Sequence, residues 1–112
     1  MNYSEMFGSI FKTCQFSKFM LNDASLEQSY IENSSFYSSN LTNVSFRHAK
    51  LLNVNFNCTD LTQSDFTNAT LINVIFHDSF ISVEQLNRAR LLTNVILSNR
   101  TLDRKELIKF FS

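Results

Sequence analysis

Few side chains in this sequence are suited to catalysis or metal binding, and they lie far apart along the chain. His48 and His77 are the only histidines, and Cys14 and Cys58 the only cysteines, among 112 residues. A zinc site needs three or four such ligands together, and neither histidine has a thiol or carboxylate cluster at ligand spacing. No Ser-His-Asp order and no Gly-rich phosphate loop is visible. We therefore expect no catalytic residue, no metal site, no cofactor and no small-molecule substrate.

The composition argues against further classes of protein. Ten basic and ten acidic residues cancel, so no global field attracts nucleic acid or a membrane surface. Two cysteines are too few for a disulfide framework, which favours a reducing compartment. No basic leader precedes an apolar run, and no stretch of about 18 apolar residues occurs. These features predict a cytoplasmic protein without a membrane span and without direct binding to nucleic acid.

The elements that position these side chains must follow a period of five residues. Every fifth residue from Met6 to Ile81 is apolar, which is neither the period of a helix nor that of a flat strand. Among the residues two positions earlier, only Phe19 is large. A chain that turns a corner every five residues closes a square coil after 20, so residues 20 apart stack at about 4.8 Å. With one Gly and no Pro in the chain, other residues must form the corners, and the many Asn and Ser residues are the candidates.

The four columns of stacked residues predict the core. One column, the first side, is entirely phenylalanine: Phe16, Phe36, Phe56 and Phe76. The second side is aliphatic, with Leu21, Leu41, Leu61 and Ile81. The third contains Leu26, Phe46 and Phe66, and the fourth contains Phe11, Ile31, Leu51 and Leu71. Because the columns sort by residue type at a spacing of 20, the sequence favours four sides to a coil.

This pattern resembles the pentapeptide-repeat family, whose motif is a small residue, a polar one, Leu or Phe, and two variable ones. Ala49-Lys50-Leu51-Leu52-Asn53, Thr59-Asp60-Leu61-Thr62-Gln63 and Ser64-Asp65-Phe66-Thr67-Asn68 are ordinary examples. The resemblance covers residues 4–83 and implies an all-β solenoid, a right-handed quadrilateral β-helix of about four coils. The departures are Phe19 and the apolar residues Ile75 and Phe80 at usually polar positions.

After Ile81 the register falters. Ser82 and Gln85 form a capping box that predicts a short helical turn. The repeat then resumes as Ala89-x-Leu91 and, shifted by one residue, as Val95-x-Leu97. We expect the β-helix to occupy residues 1–100 and a short amphipathic C-terminal helix to occupy residues 101–112, as a cap or an interface. Its apolar stripe comprises Leu107, Ile108, Phe110 and Phe111.

An outward-facing series on the fourth side is the candidate interface. Counting one residue past each central position gives Glu32, Leu52, Ile72 and Leu92, so three aliphatic residues would stack as an exposed ridge. Phe110 and Phe111 complete the candidate. Two interpretations stay open: the C-terminal helix folds over the ridge, or the ridge binds a protein partner or a second copy in a homodimer.

Two functions are compatible with the resemblance. The first is a non-enzymatic scaffold for protein–protein interaction, such as a bacterial secreted effector or a cytosolic bacterial protein. The second is a DNA mimic that binds a type II topoisomerase such as gyrase, as the fluoroquinolone-resistance members of the family do. Residues 1–83 carry seven acids and four bases, and residues 84–112 carry six bases and three acids. The coils are therefore only weakly acidic, whereas a DNA duplex carries one negative charge per about 1.7 Å of its axis. This difference favours the scaffold over the DNA mimic.

Overall fold

The computed structural model describes Met6, residues 8–97 and the strand Arg100–Leu102. Up to Phe80 the chain winds through coils in which the paired residues lie 20 positions apart. One sheet on the fourth side joins strands of three residues in parallel, in the order β1-β2-β3-β4-β6. The strands are β1 (Ile10–Lys12), β2 (Tyr30–Glu32), β3 (Lys50–Leu52), β4 (Thr70–Ile72) and β6 (Leu91–Thr93).

The other three sides are joined by single parallel bridges. Gln15 pairs with Ser35 on the first side, Met20 with Asn40 on the second and Ser25 with Ser45 on the third. On the first side the pairing continues into β5 (Ile75–Phe76) and β7 (Val95–Leu97). Four paired sides confirm the predicted quadrilateral β-helix of about four coils.

Phenylalanine rings stack along the axis of the coils. The rings of Phe16, Phe36, Phe56 and Phe76 lie nearly parallel, with centroids 4.9–5.3 Å apart. Phe36, Phe56 and Phe76 are buried, whereas Phe16 is half-buried because it belongs to the first described coil. Phe19, too large for its position, packs edge-on against Phe16 at 5.2 Å. The predicted phenylalanine column is therefore the centre of the core.

Left-handed residues form the corners. Among the described residues, fifteen other than glycine have a positive φ, and up to Asp78 they recur at every fifth position. Six of the fifteen are asparagine, which tolerates this conformation better than most residues. The corner N–H donates to the next coil, as Asn53 N does to Ile72 O at 2.9 Å. Asparagine therefore performs much of the turning that glycine and proline would otherwise do.

A short helix interrupts the last coil on its third side. Helix α1 (Val83–Asn87) has the predicted capping box between Ser82 and Gln85. Gln85 Nε2 donates to the carbonyl oxygens of Leu61 and Ser64 at 2.9 Å, which replaces strand pairing at this place. Leu86 is fully buried, so the helix still contributes a residue to the core.

The helix is followed by one extra residue that changes the register. The N–H groups of Arg90 and Leu91 both donate to Ala69 O, and β6 then pairs Leu92 with Leu71. The prediction for Leu92 is therefore wrong: this side chain is 2% exposed in the core, while Leu91 is 41% exposed. The predicted one-residue shift at Val95-x-Leu97 is correct, since Leu97 pairs with Phe76 and Val95 is buried.

The end of the described chain departs from the predicted boundary. Strand β8 (Arg100–Leu102) pairs antiparallel with β7. Thr101 and Leu102 are thus strand residues, although the sequence analysis assigned them to the C-terminal helical segment. The rest of that segment, with Phe110 and Phe111, lies outside the described residues, and the C-terminal helix stays a prediction.

Replacing the central ring of the phenylalanine column tests the core. Phe56→Ala is expected to lower the free energy of unfolding by about 3–5 kcal/mol, because the neighbouring stacked rings cannot close the gap. Phe80→Ala is the control: this side chain is 70% exposed, and we expect a change within about 0.5 kcal/mol. Urea denaturation followed by circular dichroism measures both. A loss below about 1 kcal/mol for Phe56→Ala would contradict a close-packed column.

Candidate interaction surface

The histidines and cysteines do not assemble into a reactive site. His77 Nε2 lies 3.3 Å from Asp78 Oδ2, and both side chains are exposed. His48 is exposed on a different edge, Cys58 is exposed, and Cys14 is half-buried. Within Met6 and residues 8–97, no three His, Cys, Asp or Glu side chains are placed to hold a metal ion. The groups that can make contacts are therefore the rows of side chains on the outer surface.

An asparagine ladder runs along the edge between the fourth and first sides. Asn33, Asn53, Asn73 and Asn94 occupy this corner in consecutive coils, each with a positive φ. Asn53 Nδ2 donates to Asn33 Oδ1 at 3.1 Å, and Asn94 Nδ2 donates to Asn73 Oδ1 at 2.7 Å. These bonds hold neighbouring coils in register and fix the residues beside them.

Aliphatic side chains flank the upper part of this ladder. Leu52 and Ile72 are paired neighbours in β3 and β4, and Ile75 and Ile96 are paired neighbours in β5 and β7. All four side chains are half-buried on the outer surface. We call Leu52, Ile72, Ile75 and Ile96 the apolar edge. Its rows come from two sides of the solenoid and meet at one corner.

The predicted ridge thus coincides with only half of this surface. Leu52 and Ile72 stack as predicted, but Thr93 occupies the place above Ile72 that the sequence analysis gave to Leu92. Ile75 and Ile96 were missed. The signal for Ile75 was its apolar character at a usually polar position. The signal for Ile96 was the predicted one-residue shift at Val95-x-Leu97, which moves Ile96 above Ile75.

The second and third sides have a different outer surface. There a carboxylate or amide often accepts hydrogen bonds from the residue two positions later. Asn40 Oδ1 accepts from Thr42 Oγ1 at 2.8 Å, and Asp60 Oδ1 accepts from Thr62 Oγ1 at 2.6 Å. Such local pairs satisfy the polar groups within one repeat. The apolar edge is therefore a local feature and not a general property of the repeat.

A second distinctive surface lies at the edge between the third and fourth sides. Arg47, Lys50, Arg88 and Arg90 are exposed there, and we call them the basic edge. Arg47 Nε is 4.0 Å from Asp65 Oδ2. Partial burial raises the pKa of Asp65, but hydrogen bonds from Thr67 and the charges of Arg47 and Arg88 outweigh it, so the pKa is lower than usual.

Comparisons with known proteins agree with this architecture. The model of a family described as a pentapeptide repeat region matches residues 9–86. No curated protein sequence matches the chain.

Within the described residues, no helix has the length and apolar character needed to cross a membrane.

Solved structures that match the chain include pentapeptide repeat proteins. A pentapeptide repeat protein (Rfr23) from the cyanobacterium Cyanothece 51142 is 17% identical, with a TM-score of 0.58 over 88% of this chain and 83% of that one. A thylakoid-lumen pentapeptide repeat protein from Arabidopsis thaliana is 15% identical, with a TM-score of 0.42 over 95% and 88%. QnrB1, a plasmid-mediated fluoroquinolone resistance protein, is 14% identical, with a TM-score of 0.45 over 74% and 55%.

The stability contributed by Asp65 should depend on pH. Because its folded-state pKa is lowered, the contribution is complete above the unfolded pKa of about 3.9 and is lost as the pH falls through the folded value. Asp65→Asn keeps an acceptor for Thr67 but removes the charge. We expect it to cost up to about 1 kcal/mol at pH 7 and low salt, since the carboxylate is partly exposed to solvent.

Urea denaturation at pH 7 and at pH 2.5 measures this difference. The control is Asp60→Asn. Asp60 accepts the same two kinds of hydrogen bond from a threonine, but within the described chain it forms no ion pair with an arginine. The loss should be smaller for the control and should shrink with added salt for Asp65→Asn. Equal stability of Asp65→Asn and the wild type at neutral pH would contradict the assignment.

Proposed function

Because the chain belongs to the pentapeptide-repeat family, we propose that it is a non-enzymatic scaffold that binds another protein through the apolar edge. The family is generally non-catalytic. The proposal assigns the function to the outer surface, because stacked side chains fill the axis of the coils. The partner is a protein that presents a complementary apolar surface, either another molecule or a second copy of this chain.

The observation that carries the proposal is the grouping of four aliphatic side chains at one corner. Contiguous exposed apolar groups mark interfaces more often than scattered ones do. Other exposed apolar residues, such as Ile10, Met20 and Phe80, lie on different coils or sides. The paired strands and the asparagine ladder hold the edge in a fixed geometry, so binding would cost little conformational entropy.

The charge distribution does not favour the alternative of a DNA mimic. Within Met6 and residues 8–97 there are seven acids and six bases, so the described coils are close to neutral. Four coils span about 19 Å at the usual strand spacing. A duplex of that length carries on the order of ten charges. An assay of DNA supercoiling by gyrase tests this alternative directly, and we expect no inhibition.

Substitutions at the centre of the apolar edge test the proposal. Ile72→Thr together with Ile75→Thr keeps β-branched side chains suited to the strands but adds hydroxyl groups to the surface. Phe80→Thr is the control, since it replaces an exposed apolar residue on the second side. Circular dichroism checks that each variant keeps the coils.

The measurement has two parts. Sedimentation velocity shows whether the chain self-associates. Affinity purification identifies another partner, and a binding assay with that partner produced as a recombinant protein gives the dissociation constant. We expect the double variant to weaken the interaction by about tenfold or more and the control by less than about twofold. Two results would refute the proposal. The first is an equal loss of binding in both variants, and the second is a wild-type protein that neither self-associates nor binds a reproducible partner.

A further inference from the structure

We propose that the basic edge is a separate docking site for an acidic segment of a protein. This surface lies between the third and fourth sides, on the far margin of the fourth-side sheet from the apolar edge. Its occupation does not depend on the scaffold function proposed above. The argument uses the position, spacing and pairing of the four cations Arg47, Lys50, Arg88 and Arg90.

The backbone places these residues in two rows. Arg47 and Lys50 belong to one coil, and Arg88 and Arg90 lie two coils further along the axis. The connection is direct: Asn68 N donates to Arg88 O at 2.9 Å, and His48 N donates to Thr67 O at 3.0 Å. At the usual strand spacing, two coils correspond to about 9.6 Å. Each row therefore presents two cations at the same edge, held by paired backbone.

The positive charges are concentrated on this edge and are only partly compensated, since Asp65 lies near Arg47 and also interacts with the charge of Arg88. Of the six Lys and Arg residues within Met6 and residues 8–97, four form the basic edge. Asp65 pairs with Arg47, and Glu27, one coil below, accepts a hydrogen bond from Ser45. Lys50, Arg88 and Arg90 form no ion pair within 4 Å in the described part of the chain. Their positive charge is therefore available to an approaching anion.

The chain's own C-terminal segment does not have the composition to occupy this site. Residues 98–112 carry four bases (Arg100, Arg104, Lys105 and Lys109) and two acids (Asp103 and Glu106). A segment with net positive charge is repelled by the four cations. Residues 98–112 therefore do not suit this site, which favours a segment with an excess of carboxylates or phosphates.

The spacing favours carboxylates on a protein over the phosphates of a duplex. Residues seven apart on an α-helix are separated by about 10.5 Å, close to the separation of the two rows. Three of the four cations are arginines, whose planar guanidinium groups bind carboxylates with two parallel hydrogen bonds. A duplex carries one charge per about 1.7 Å and would place additional phosphates near Asp65 and Glu27. An acidic helix can leave neutral residues there.

The test uses a fluorescent helical peptide with glutamates at positions i, i+4, i+7 and i+11, and the same peptide with glutamines in their place. Fluorescence anisotropy with the full chain in about 20 mM salt measures the affinity, where screening is weak. We expect the glutamate peptide to bind with a dissociation constant on the order of 10–100 μM and the glutamine peptide to bind at least about tenfold more weakly.

Variants of matched charge decide where the peptide binds. Arg88→Gln with Arg90→Gln removes two exposed cations from the basic edge, and Lys12→Gln with Lys18→Gln removes two from the first described coil. We expect the first variant to lose about tenfold in affinity and the second less than about twofold. Raising the salt to about 200 mM should weaken wild-type binding further. Circular dichroism confirms that both variants keep the fold.

Three results would overturn the inference. The first is equal loss of affinity in the two double variants, which would show attraction to charge without a site. The second is no binding of the glutamate peptide up to about 1 mM. The third is tighter binding of a labelled duplex DNA than of the peptide in the same buffer, which would assign the edge to nucleic acid.

Discussion

A left-handed backbone conformation at every fifth residue is the constraint on which this structure depends. Without the positive φ of residues such as Asn33 and Asn53, the chain would continue straight and could not close a coil. L-residues pay roughly 1–2 kcal/mol for this conformation, and glycine would avoid that cost. The compensation comes from neighbouring coils, because each corner N–H from Thr13 to Cys58 donates to a carbonyl oxygen of the next coil. Asn53 N, for example, donates to Ile72 O at 2.9 Å.

The corners and the core stabilise each other, and together they confine function to the surface. Once the corners set a coil of 20 residues, like side chains meet in columns, and the parallel rings of Phe36, Phe56 and Phe76 follow. The small residue two positions before each central one also links neighbouring coils when it carries a hydroxyl. Thr59 Oγ1 donates to Phe36 O at 2.6 Å, and Ser79 Oγ donates to Phe56 O. The repeat thus fixes the interior and leaves the outward residues free to vary.

Features that depend on the five-residue period are predictable from the sequence. The prediction for Leu92 failed at a place where that period changes. The sides, the columns and the capping box of Ser82 were predictable because each depends on residues at fixed spacing. Leu92 was misplaced because Leu91 and Leu92 are both apolar and either could continue the fourth column. What decides between them is a backbone event, the double donation of Arg90 N and Leu91 N to Ala69 O. No side-chain pattern records such an event.

The basic edge was missed for a related reason. Arg47 and Arg88 are far apart in the sequence, and charge counted along the chain places them in segments of opposite net charge. Only the stacking of coils brings their rows to the same edge.

The two proposed surfaces are the opposite margins of one narrow sheet. In β3, Lys50 and Leu52 both face outward and are two residues apart, so about 6.6 Å separates the basic margin from the apolar one. A partner that covers the fourth side can therefore contact both, whereas a partner on either corner contacts only one. If the partners differ, substitutions at Arg88 and Arg90 weaken only one of them, and substitutions at Ile72 and Ile75 weaken only the other. If both pairs of substitutions weaken the binding of the same molecule, that molecule spans the sheet.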